Sequence, residues 1–252
     1  MDKTFSLDTL PQEYTAYGNG DYRINGLEIE QADGSETADL KFESYEIRKG
    51  KYSLKGLPAM FARDDEAETL EIVLSDRASG LKAHLLYGVF PHLDVITRAV
   101  RLENTGTAPV TVKKAMSAEL DYEYRELDAV HFYGRHNMER QMERVHLGHG
   151  NWSVGSIRGT SSHHHNPFVI LCDRNTEENH GDCYGYALAY SGNFSFETEV
   201  DQVGHTRVVM GIHPYHFSWK LKEGDIFETP EVIMAYSSEG FGKLSRIYHD
   251  AY

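Results

Sequence analysis

The run His163-His164-His165-Asn166 holds the densest group of metal-binding side chains in the chain. On a β-strand alternate residues share a face, so His163 and His165 would point the same way and reach one metal ion together. A cupin-type oxygenase places a Glu a few residues after such a His-x-His on the same strand. Here Asn166-Pro167-Phe168 follows, and the next acid is Asp173. Pro167 argues against a central strand, because it has no N–H for the ladder. A third ligand is missing, so the run is read as structural, anchoring a loop through hydrogen bonds beside Asn166 and Pro167. No metal ligand and no cofactor are assigned.

Paired carboxylates are the other chemistry to consider, because glycoside hydrolysis needs one to donate a proton while the second attacks or activates water. Asp64-Asp65-Glu66 and Glu68 form one acidic group, and Asp121, Glu123, Glu126 and Asp128 form another. Catalytic carboxylates must face each other across a bound sugar, which sequence proximity does not establish. Both groups are read as solvated loops. No G-x-S-x-G, P-loop or G-x-G-x-x-G is present, which removes the common nucleophile and phosphate-binding motifs. Cys172 and Cys183 stand outside any C-x-x-C pattern and are read as buried or half-buried thiols. Sixteen Tyr, eleven Phe and two Trp supply flat faces that would stack on sugar rings, but strand packing favours the same residues. No catalytic residue is assigned.

The elements that would position these groups are strands. Leu70, Ile72 and Leu74 alternate with Glu71 and Ser75. After the turn Arg77-Ala78-Ser79-Gly80, alternation resumes in Leu81, Ala83, Leu85, Tyr87 and Val89. Pro91-His92-Leu93-Asp94 and Asn104-Thr105-Gly106 flank the β-branched stretch that begins Val95-Ile96-Thr97, and Val110-Thr111-Val112 follows. Further strands are expected over Tyr184 to Tyr190, Phe194 to Val200, Thr206 to Met210 and, as one last strand, Ile226 to Tyr236. Asp121 to Gly150 is the least regular segment, either a long excursion or a distorted hairpin. Leu244, Ile247, Tyr248 and Ala251 recur at helical spacing, which predicts one helix over Glu239 to Ala251. The pattern is that of an all-β antiparallel sandwich or barrel forming one domain over residues 1–252.

Composition narrows the function classes. A net charge of −14, from 25 basic and 39 acidic residues, would repel phosphate. Nucleic acid and anionic membranes are therefore not expected as partners. No run of 18 apolar residues and no signal-peptide pattern is present, and the expected location is the cytoplasm. At 252 residues a domain buries enough surface to need neither disulfides nor a structural metal.

Five ordered strings are more specific. They are Phe5 to Tyr14 with Tyr17-Gly18 and Gly20-Asp21-Tyr22-Arg23; Gly56-Leu57-Pro58-Ala59 with Glu66 to Ile72; Ser161-Ser162-His163 with Asn166-Pro167-Phe168; Tyr190 to Phe194 with Glu199 to Gln202; and Phe217-Ser218-Trp219 with Thr229 to Val232. In this order they resemble the N-terminal domain of bacterial α-galactosidases of glycoside hydrolase family 36, over essentially the whole chain.

The resemblance implies an antiparallel β-supersandwich of the galactose-mutarotase-like kind with a short C-terminal helix. It also implies a retaining enzyme acting on melibiose, raffinose and related galactosides, with both catalytic aspartates in a following (β/α)₈ barrel. Residues 239–252 resemble the connection into that barrel, so this chain is expected to contain neither aspartate, to be inactive alone, and to lack strands that precede the Phe5 string. Its implied roles are interdomain packing, assembly of a homo-oligomer, a tetramer in the family, and shaping of the active-site mouth. Lys3 matches a position, commonly Arg in the family, that lies near a neighbouring subunit's active site. Two alternatives stand beside this reading: an autonomous carbohydrate-binding sandwich using exposed aromatics, and a metalloenzyme built on His163 and His165.

Overall fold

The computed structural model describes residues 7–63 and 65–252. In chain order the strands are β1 (Leu27–Glu30), β2 (Lys41–Lys49), β3 (Glu68–Ser75), β4 (Leu81–Phe90), β5 (Val95–Asn104), β6 (Val110–Tyr122), β7 (Leu127–Arg135) and β8 (Met138–His146). They continue as β9 (Gly150–Ser156), β10 (His165–Asp173), β11 (Cys183–Ala189), β12 (Phe194–Val200), β13 (Thr206–Ile212), β14 (Trp219–Leu221), β15 (Ile226–Glu228) and β16 (Glu231–Ser237). A helix, α1 (Gly240–Ala251), follows. None of its helices is long and apolar enough to cross a membrane, among the described residues.

The strands form two antiparallel sheets. One has six strands in the order β1-β6-β13-β12-β9, with β14 also on β6. The other has ten, in the order β2-β3-β4-β5-β16-β11-β10-β7-β8, with β15 also on β5. Period-two alternation makes one face of each sheet apolar, and those faces meet in two clusters. In the first, Leu27, Ile29, Val110 and Val112 pack on Leu81, Ala83, Leu85, Val100 and Leu102. In the second, Phe194, Phe196, Val208 and Met210 pack on Ala129, Val169, Leu171 and Tyr186. This is the expected β-supersandwich.

The back of the ten-stranded sheet is covered by α1. Leu244, Ile247 and Tyr248 pack there on Val130, Ile170, Cys172, Cys183, Ile233 and Ala235. The Tyr248 ring lies so close over β11 that a Cβ on Gly185 would stand 2.6 Å from it, and its hydroxyl donates to the Ile233 carbonyl at 3.0 Å. Gly185 is therefore the position that lets the helix dock.

Two details depart from the sequence reading, and one open alternative is decided. The expected strand over Ile226 to Tyr236 is two, because Pro230 lacks an N–H and the chain breaks there. Thr229 bridges the gap: its N–H donates to the Val100 carbonyl, and its hydroxyl accepts from the Val100 N–H, both at 2.9 Å. Both halves then pair with β5. Pro167 lies within the internal strand β10 after all, where the register against β7 slips between His165 and Val169 and no N–H is required of it. Of the two readings of Asp121 to Gly150, the hairpin is the one found, with a slip between Tyr133 and Arg135.

Candidate functional site

The two sheets leave one polar face to be covered. Val208 and Met210 of β13, with Ala118 of β6, point into the core, so the alternate residues Arg207, Glu119 and Asp121 occupy the opposite face of the six-stranded sheet. Arg207 and Asp121 are direct cross-strand partners. Residues of the N-terminal segment cross over them. Asp21 and Arg23 arrive from above, and Asp201 closes the group from the turn after β12. Arg207 Nη2 lies 2.9 Å from Asp21 Oδ2, Arg23 Nη2 lies 2.7 Å from the same oxygen, and Arg23 Nη1 lies 3.7 Å from both Asp121 and Asp201. Every one of these side chains is at most 3% exposed.

Electrostatics explains why the cluster holds together. Burial alone would raise the Asp21 carboxyl, but hydrogen bonds from Arg23 and the charge of Arg207 hold it below its ordinary value. Burial raises Glu119 above its ordinary value, against the pull of Arg207 and two bonds from Thr15. Burial lowers Arg207, but bonds to Asp121 and the charges of Glu119, Asp121 and Asp21 raise it overall. Four carboxylates thus share two guanidinium groups in a dry layer, an arrangement stable only while every partner stays.

The same groups grip the crossing segment by its backbone. Gln12 N–H donates to Asp121 at 2.9 Å, Thr15 N–H to Glu119 at 2.9 Å and Ile24 N–H to Glu199 at 2.6 Å. Arg98, from the inner face of the ten-stranded sheet, donates to the Glu13 carbonyl at 2.8 Å and to that of Glu119 at 2.9 Å. This network is a clamp. Its carboxylates are neither open to a sugar nor free to exchange protons with one.

A second feature lies beside α1. A mostly apolar cleft of about 850 Å³ is walled by Phe132, Met142, Phe168, Phe241 and Tyr252 among others. Phe132 and Phe168 stack with ring centroids 6.0 Å apart.

The residues singled out from sequence fall as follows. His163 and His164 lie in a turn and only His165 enters β10, so His163 and His165 do not share a strand face. The loop is held by its backbone: Gly134 N–H donates to the His164 carbonyl at 3.2 Å and His164 N–H to Ser162 Oγ at 3.1 Å. Of the His165 ring, Nδ1 is buried without a partner. Among the described residues no three His, Cys, Asp or Glu are grouped to hold a metal ion. Asp65 and Glu66 are exposed, as read, while Asp64 and Lys3 lie outside the described residues.

The second acidic group is only partly the solvated loop expected: Glu123 and Glu126 are exposed, as read, and the other two are not. Asp121 is in the clamp, and Asp128 on β7 pairs with Arg144 at 2.7 Å and His146 at 3.0 Å. The overlooked signal was the i, i+2 spacing of Asp21 and Arg23 and of Glu119 and Asp121, together with Arg207 inside an apolar strand. A charge at such a position demands a buried partner. Cys172 and Cys183 are cross-strand neighbours, free and buried. Burial pushes their thiols up, to about 11 and about 12.

Comparison with known proteins adds the rest. The model of the glycosyl hydrolase family 36 N-terminal domain matches residues 1–222. The chain is 54% identical over 250 residues to the bifunctional alpha-galactosidase/sucrose kinase AgaSK of Mediterraneibacter gnavus, covering 99% of this chain and 27% of that protein. It is 44% identical over 252 residues to alpha-galactosidase AgaA of Geobacillus stearothermophilus, covering 100% and 35%. The AgaA crystal structure superposes with a TM-score of 0.98 at 44% identity, over 100% of this chain and 35% of that one. The chain therefore spans about a quarter to a third of the length of these relatives.

Proposed function

The chain belongs to the glycosyl hydrolase family 36 N-terminal domains, and on that premise we propose that residues 1–252 act as one non-catalytic domain of a retaining α-galactosidase. The proposed substrates of the whole enzyme are terminal α-galactosides such as melibiose and raffinose. The proposed roles of this domain are packing against the catalytic barrel, assembly of the oligomer and shaping of the active-site mouth.

One observation carries this reading. The carboxylates that the fold gathers are sealed beneath the N-terminal segment and tied to Arg23 and Arg207, whereas the large open cleft beside α1 is apolar. A glycosidase site needs the reverse, two accessible carboxyl groups about 5–10 Å apart across a sugar. The cleft suits a protein surface, and its proposed occupant is the catalytic part of the same enzyme. The clamp has a matching role: it holds residues 12–24 on the sandwich, and Lys3 is proposed to act near a neighbouring subunit's active site.

The 252-residue chain should not turn over an aryl α-galactoside, and turnover abolished by a substitution within the chain would overturn the proposal. In the longer enzyme, Phe132→Asp and Phe168→Asp should weaken the joint between the parts and lower activity together with thermal stability. Lys3→Ala should instead raise KM with little change in unfolding temperature.

A further inference from the structure

At the end of the sandwich where β9 edges the six-stranded sheet, a cleft of about 480 Å³ opens against β7, β8 and β10. It is distinct from the apolar cleft beside α1 in location and in chemistry. Its walls include His131, Glu143, Trp152, His165, Ser195 and His213. The His131 ring lies 5.5 Å from Trp152 and 6.1 Å from His165, centroid to centroid. None of this belongs to the buried clamp.

The polar groups here have unused capacity. His131 is 6% exposed, and its Nε2 faces Glu143 Oε2 at 3.2 Å. Its Nδ1 is buried without a partner, and so is Nδ1 of His165. Both of these nitrogens are sealed inside the wall, so the polar groups left to face the cleft are the Glu143 carboxylate and the His213 ring. His213 Nδ1 accepts from the Tyr215 N–H at 3.1 Å, which leaves its proton on Nε2.

The charge balance selects the ligand class. Among the described residues lining the cleft there is no Lys or Arg, and the charge on its wall is the Glu143 carboxylate, which disfavours an anion; Lys114, which acts on His213 from nearby, is already paired with Glu197 at 2.8 Å. Burial lowers the His165 pKa, and the neighbouring His164, His131 and Arg158 push the same way. Burial also lowers His213, although Glu197 partly offsets it. Both shifts favour the uncharged imidazole, so these two rings serve as neutral donors and acceptors. A half-buried indole, neutral imidazoles, one carboxylate and a serine match a ligand with one flat apolar side and several hydroxyls.

We propose that this cleft is a binding site for a neutral saccharide of one or two rings, held on Trp152 and hydrogen-bonded by Glu143 and His213 Nε2. The proposal stands on the cleft itself and not on the α-galactosidase reading. Its test measures binding and never turnover, so either can fail without the other.

The experiment is a titration of the 252-residue chain with melibiose and with galactose, followed by tryptophan fluorescence. Trp152 and Trp219 are the two tryptophans, so Trp219→Phe leaves Trp152 as the sole reporter. A saturable change with a Kd on the order of 1 mM is expected. Calorimetry should show Trp152→Ala weakening binding at least about tenfold, the loss of one stacking face. Glu143→Gln, at a side chain 55% exposed and so safe for folding, should weaken it less. No saturable change with either sugar overturns the proposal, as does binding that Trp152→Ala leaves intact. Stoichiometric Zn²⁺ uptake lost in His131→Ala and His165→Ala, without sugar binding, would make it a metal site instead.

Discussion

Arg207 of β13 holds Asp121 of β6 through two parallel hydrogen bonds, Nε to Oδ1 and Nη2 to Oδ2, both at 2.8 Å. The two residues are direct cross-strand partners, so the sheet ladder itself sets the fork geometry that a guanidinium requires. A lysine there would keep the charge and lose the second bond. Around this pair the N-terminal segment is fastened, and the clamp is therefore a property of strand register.

Removing the guanidinium should be far more damaging than its single bonds suggest. Arg207→Met leaves Asp21, Glu119 and Asp121 packed together with Arg23 as their near cation. A loss of about 3–5 kcal/mol is expected, the usual cost of breaking a buried pair on one side. Urea unfolding of the two proteins would measure it, and a change under about 1 kcal/mol would show that the layer is wetter than described.

The pH dependence of stability should carry two opposite contributions from this cluster. Asp21 is held below its ordinary value of 3.8, so its contribution is complete above that value and disappears as pH falls through the lower folded pKa. Glu119 is raised; its contribution is complete below the unfolded value of about 4.3 and disappears as pH rises through the folded pKa. Thermal unfolding followed from acid to neutral pH should show Asp21→Asn with a shallower acid limb. Glu119→Gln should lack the decline above the unfolded value. Identical profiles for wild type and both variants would refute the assignment.

Docking of α1 should depend on a hydrogen atom. Gly185→Val places methyl groups where the Tyr248 ring lies, and about 1–3 kcal/mol of overpacking is expected. Tyr248→Phe loses only the bond to the Ile233 carbonyl, about 1 kcal/mol. Hydrogen exchange should report fast exchange across Gly240–Ala251 in the first variant and near-native protection in the second.

Self-association is expected from an edge of the ten-stranded sheet that is unpaired among the described residues. Strand β2 ends the sheet order and exposes Phe42, Tyr45 and Ile47 at 64%, 65% and 63%. An edge with apolar side chains templates pairing, and salt screens the repulsion from the charge of −14 beyond about 10 Å. Sedimentation of the isolated chain should show concentration-dependent dimers or larger species, reduced by Tyr45→Lys with Ile47→Lys. A monomer at all concentrations would mean that this edge is closed in solution.

Much of the fold was legible from local pattern. Alternation in Leu81 to Val89 and in Phe194 to Val200 marks strands because one face of a sheet must be dry. Helical spacing of Leu244, Ile247 and Tyr248 marks α1 for the corresponding reason. The five ordered strings carried the family. What local pattern misjudged was any position whose role depends on a distant strand. Pro167 looked incompatible with an internal strand until the slip in register against β7 relieved it of a ladder bond. Asp121 looked like a solvated loop acid until β13 brought Arg207 beside it from 86 residues away. His131, His165 and His213 are separated in sequence and share one cleft only because β9 edges its sheet there. Periodicity is written residue by residue and reports burial. Partnership between buried charges or unpaired imidazoles is set by which strands become neighbours, and tertiary structure alone decided that.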